Sequence, residues 1–184
     1  MIKSVQGYGR ARAGSAAAGI AEQAEALAWF DRSNLRYPRS MTALRLAETC
    51  LRAGDIPRAR GLVDEVLATA RTLGYRYLEG LALRLLGECD MAHEPGRAAE
   101  TLAAAGRILD ELGARNELAK ALAAYGTLLQ SMGDSAGARD RLERALALFE
   151  SLATWDEPAR LRGRLSALGP SGPTTSDRRE CRSQ

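Results

Sequence analysis

The chain holds 184 residues and a formal charge of +3, which is room for one globular domain or a short repeat array. It is 46% hydrophobic but only 5% aromatic, a composition that favours closely packed alanine- and leucine-rich helices and argues against a sheet. Three cysteines make no paired framework, no apolar run is long enough to cross a bilayer, and the interspersed charges lack the aromatic-studded basic stripe of a nucleic-acid surface.

The start, Met1-Ile2-Lys3-Ser4-Val5, lacks the apolar stretch of a secretion signal. With the odd cysteine count, this predicts a cytoplasmic protein. Small residues then recur in columns about 40 positions apart: Gly7, Ala47, Gly87 and Gly126, and again Gly19, Ala59, Ala98 and Ala138. A fixed period of this length marks a solenoid of stacked supersecondary units. Gly7-Tyr8-Gly9-Arg10-Ala11-Arg12-Ala13-Gly14 reads as the second half of a first helix, so a full helix would begin before Met1. The expectation is a fragment of a longer array, or a lost start. Ile20 to Phe30 supplies the helix that packs on it, with Ala24, Leu27 and Phe30 left short of cover.

The first complete unit predicts helix A from about Arg39 to Ala53, with Ala43, Leu46, Ala47 and Cys50 on one stripe. Gly54-Asp55 ends it and caps the next helix, where Pro57 suits the first turn. Helix B follows from about Ile56 to Leu73, with Ala59, Val63, Val66, Leu67 and Ala70 inward, and Gly74 stops it. The next unit places Leu83, Leu86, Gly87 and Asp90 in the same columns. A shorter turn, Glu94-Pro95-Gly96, leads to a helix B carrying Ala98, Leu102, Ala105, Leu109 and Leu112. The third unit has Leu122, Tyr125, Gly126 and Leu129, then Gly133-Asp134, then Ala138, Leu142, Ala145, Leu148 and Phe149. A last helix, about Glu157 to Leu168, presents Leu161, Leu165 and Leu168 as a cap behind Trp155. The glycine- and proline-rich segment after Leu168 cannot bury enough apolar surface to fold.

The expected architecture is all-α, an antiparallel helix-hairpin solenoid over residues 1–168, with a disordered tail at 169–184. It divides into a partial repeat (1–38), full repeats at 39–75, 76–114 and 115–153, and a capping helix at 155–168. Gly87, Gly126, Ala59, Ala98 and Ala138 fall where helices A and B cross, because only glycine or alanine lets two backbones approach to roughly 8 Å.

These columns resemble the tetratricopeptide repeat. Leu46-Ala47, Leu86-Gly87 and Tyr125-Gly126 match its seventh and eighth positions, and Ala59, Ala98 and Ala138 its twentieth. Val63, Leu102 and Leu142 put aliphatics at the twenty-fourth, and Val66, Ala105 and Ala145 match the twenty-seventh. The period exceeds the family's roughly 34 residues, and the proline at its thirty-second position is missing. The longer variety is similar to the C-terminal repeat arrays of large bacterial signalling proteins, which pair an ATPase with a nucleotide cyclase or a DNA-binding regulator. Ala59-Arg60-Gly61-Leu62-Val63 and Trp155-Asp156-Glu157-Pro158-Ala159-Arg160 are among the phrases that carry that likeness.

The resemblance implies a protein-binding scaffold with a concave groove lined by A helices. Its groove positions map to Met41, Leu44, Glu48 and Leu51, then Leu81, Arg84, Glu88 and Met91, then Lys120, Ala123, Thr127 and Gln130. The occupant would be a helix or extended peptide. The groove lacks the lysine–asparagine set that clamps chaperone tails.

No catalytic, metal or cofactor site is expected. There is no phosphate-binding G-x-x-x-x-G-K-S/T loop, and the single histidine, His93, sits in a turn without a partner for acid–base work. Cys50 and Cys89 have no basic neighbour at helical spacing and read as packing residues. Asp64-Glu65 and Asp110-Glu111 point to different sides of their helices and read as solvated. The function expected is a non-enzymatic interaction module that contacts neither nucleic acid nor membrane. The alternative is a segment that self-associates, as a homodimer, through its incomplete first repeat.

Overall fold

The computed structural model describes residues 6, 8–9, 16–154 and 156–168. The described residues form eight α-helices and no strand: α1 (Ala16–Arg32), α2 (Arg36–Arg52), α3 (Ile56–Leu73), α4 (Arg76–Asp90), α5 (Pro95–Glu111), α6 (Arg115–Ser131), α7 (Ser135–Ser151) and α8 (Glu157–Ala167). Each helix packs on the next, and α2, α4 and α6 also touch in sequence. No such layer joins α3, α5 and α7. The A helices therefore line one side of a helical-repeat solenoid, and the B helices splay on the other.

Turn chemistry sets the hairpins. Asp55 and Asp134 cap α3 and α7, their carboxylates accepting from the Arg58 N–H at 3.2 Å and the Gly137 N–H at 2.9 Å. Every B helix ends on a left-handed residue, at Asn34, Gly74, Gly113 and Ala153 (φ 52°, 68°, 64° and 51°). The residue after each donates to a carbonyl five positions back, as Tyr75 does to Ala70 and Ala114 to Leu109, both at 2.8 Å. The outer members, Asn34 and Ala153, are the ones that a search for glycine overlooks.

Two expected boundaries move. α2 begins at Arg36, so Pro38 lies in its first turn, where no N–H is required. Pro95 and Gly96 are the first residues of α5 and not part of a turn; the chain reverses at 91–94.

The crossings lie at the small-residue columns. Ala47, Ala59, Ala98 and Ala138 are fully buried. A β-carbon added at Gly87 would come within 2.6 Å of Leu102 and 3.4 Å of the Ala98 carbonyl, and one at Gly126 within 2.8 Å of Leu142 and 3.2 Å of the Ala138 carbonyl. Val63, Leu102 and Leu142 fill the space around them. Leu86 and Tyr125, in the matching columns of the A helices, are only half-buried, and Tyr125 stacks its ring under Arg141.

Asp90 ends α4 in a column that is otherwise apolar, and it is 1% exposed. Arg97 grips it with two hydrogen bonds of 2.9 and 3.0 Å, and Arg60 of α3 makes a second ion pair. At the other end, Phe30 is buried, so the expected shortage of cover does not apply to it; Ala24 and Leu27 are half-buried against the core. Of the stretch expected to be the second half of a first helix, Tyr8 and Gly9 are helical, as is Gln6 just before it. The rest lies outside the described residues, as do Trp155, Cys181 and the segment 169–184.

Candidate binding groove on the A helices

Arg84, at the middle of α4, is 4% exposed and gathers carboxylates from three consecutive A helices. Its Nη1 donates to Glu88 at 2.6 Å, and its Nη2 lies 3.7 Å from Glu48 on α2 and 3.8 Å from Glu117 on α6. Burial disfavours the charged guanidinium, but the three glutamates outweigh it and hold its pKa above the ordinary value. Nε has no hydrogen-bond partner. The carboxylates have second partners: Arg52 reaches Glu48 at 2.8 Å and Lys120 reaches Glu117 at 2.7 Å. Glu48 is mostly buried, which alone would raise its pKa; Arg84, Lys120, Arg52 and a hydrogen bond with Tyr8 reverse this and lower it. Arg52 also lies over the Tyr8 ring, 5.8 Å from its centre.

This network stands between two hollows. One, about 260 Å³, is walled by Tyr8, Met41, Leu44, Tyr77 and Leu81. The other, about 410 Å³, runs from Leu51 and Met91 past Ala123 and Thr127 to α8. Glu48, Arg84 and Lys120 face both. Eleven of the twelve groove positions mapped from the sequence thus share one surface; Gln130 lies outside both hollows and is exposed.

Their environments differ sharply. Leu44, Leu81 and Arg84 are buried, whereas Thr127 is exposed and Lys120 and Ala123 are half-exposed. Arg84 therefore braces the floor of the groove, and a partner would meet the residues around it. The groove also has an end wall absent from the sequence mapping, formed by Glu157, Arg160 and Arg164 of α8. Arg164 donates to the Thr127 hydroxyl at 2.8 Å, tying α8 to α6. Arg160 and Arg164 stand one helical turn apart, a spacing that the sequence already carries beside the helix's leucines.

The remaining candidates stay apart from the groove. His93 is exposed in the 91–94 turn. Cys50 and Cys89 are free and buried. Burial pushes the Cys89 thiol up to about 11, with Arg60 opposing and Glu88 and Asp64 adding to the shift; burial also raises Cys50. Neither thiol is poised as a nucleophile. Asp64, Glu65, Asp110 and Glu111 are exposed; Glu65 pairs with Arg39 at 2.7 Å and Glu111 with Arg76 at 3.4 Å. Among the described residues, no cluster of side chains has metal-ligand geometry, and no helix is long and apolar enough to cross a membrane. No family model matches the sequence. No curated protein matches it either.

Proposed function

We propose that the chain is a polypeptide-binding module of the tetratricopeptide type, working as a scaffold and not as an enzyme, in a bacterial signalling or transcription-regulating protein. One observation carries the reading: three successive A helices present one walled groove, with apolar Leu51, Met91 and Ala123 beside the charged edge of Lys120 and Glu88. A mixed apolar and charged trough suits a helix or extended peptide. The ion-pair network beneath it supports a groove that keeps its shape without a ligand, so binding loses little to reorganisation.

The test avoids Arg84, whose reversal would set a buried negative charge among Glu48, Glu88 and Glu117. A photoreactive benzoylphenylalanine replaces Lys120 in the groove or Arg107 on the B-helix side. Cross-linking in cells of the native host, read by mass spectrometry, is expected to join one recurrent polypeptide to position 120 and not to 107. Products from 107 alone would overturn the groove reading. Exposed Trp29, Leu35 and Tyr37 around the α1–α2 turn favour a second reading, self-association at that end. Sedimentation equilibrium separates the two, since a monomer at all working concentrations removes the second.

A further inference from the structure

Charge within the groove is balanced at one end and not at the other. Around Arg84, the glutamates 48, 88 and 117 each have a cation within ion-pair distance. At the α8 end, Glu157 lies 3.7 Å from the exposed Arg160. Arg164 is half-buried and has no ion pair among the described residues; its one hydrogen bond goes to the neutral Thr127 hydroxyl. Burial and the neighbouring Arg160 both lower its pKa, the direction expected of a cation short of a counter-charge. A guanidinium held this way is costly alone and gains when a carboxylate arrives, because its planar fork fits one through paired hydrogen bonds.

We propose that Arg160 and Arg164 form the anion-accepting end of the groove and take an aspartate or glutamate side chain of the partner polypeptide, next to apolar residues seated on Leu51, Met91 and Ala123. The proposal deepens the groove reading and rests on it. Basic segments are disfavoured there by like charge, and the glutamates deeper in the groove are already neutralised, so they repel an acidic segment little. Specificity then comes from the capping helix, while the A helices supply an apolar trough that tolerates varied sequence.

The probe is a fluorescent helical peptide with glutamates on one face and leucines on the other, compared with its glutamine analogue. Anisotropy titration of the full chain is expected to show the glutamate peptide binding about tenfold tighter. R160Q/R164Q should erase that preference, so that the two peptides bind about equally. Equal binding of the two peptides by the native chain would overturn the proposal, as would a preference that survives the double substitution, or no binding of either peptide.

Benzoylphenylalanine at position 120 locates the peptide independently. If cross-links form there but the preference survives R160Q/R164Q, the groove stands and the arginine assignment falls. If they form only at position 107, the groove reading falls as well. Should the double substitution lower helix content, the Arg164 Nε–Hε resonance of the native chain decides: it must move with the glutamate peptide and not with the glutamine one.

Discussion

Gly126 and Gly61 both sit inside helices, yet an added methyl group meets opposite surroundings. At Gly126 it runs into Leu142 and the Ala138 carbonyl; at Gly61 nothing lies within 4 Å. Gly126→Ala is expected to lower stability by about 1–3 kcal/mol through overpacking at the crossing. Gly61→Ala should raise it by about 0.5–1 kcal/mol, because alanine loses less backbone entropy in a helix. Urea denaturation of the pair checks both signs, and a neutral Gly126→Ala would show that the crossing has slack. The difference between these glycines was legible in the sequence, since one recurs in a column and the other does not. The left-handed Ala153 was not, because alanine does not signal that conformation; Asn34 was a partial signal, since asparagine tolerates it.

Among elements, the decisive contact is the one that joins α2, α4 and α6 through Arg84. Glu48 is its most testable member, since its surroundings hold the carboxyl below the ordinary value of 4.5. A depressed folded-state pKa means that the unfolded chain binds more protons over that interval. Stability from Glu48 is therefore present above 4.5 and lost as pH falls through the lower, folded-state value. The melting temperature of the native chain should drop as acid is added below that point, and Glu48→Gln should flatten the drop. Parallel curves for the two proteins would mean that Glu48 is not coupled to folding. The sequence shows only half of this network. Groove mapping places Glu48, Arg84 and Glu88 on one face, but it does not include Glu117 or reveal that Arg84 is buried.

At the scale of the molecule, each helix leans chiefly on its sequence neighbours, so stability is a chain of local interfaces. Among the described helices, α8 packs chiefly on α7 and α1 chiefly on α2, whereas α4 contacts α2, α3, α5 and α6. Amide exchange should accordingly be slowest in α4 and α5 and fastest in α1 and α8. Uniform protection from end to end would mean that the array unfolds as one cooperative unit. A second molecular consequence concerns α8. Its leucines dock it as a cap, and its arginines close the groove, so one short helix serves both packing and the proposed specificity.

Helices, their pairing and the columns at which they cross can all be read from residue spacing along the chain. Those features depend on residues a few positions apart and on a period that repeats along the chain. Which charges are buried and which are left unpaired emerges only once the repeats have stacked. Asp90 in its apolar column, Arg84 under three glutamates and Arg164 without one are settled by side chains some 30 to 40 residues distant. Periodicity places such residues on a face, but the sign and reach of the groups opposite arise only when neighbouring repeats stack.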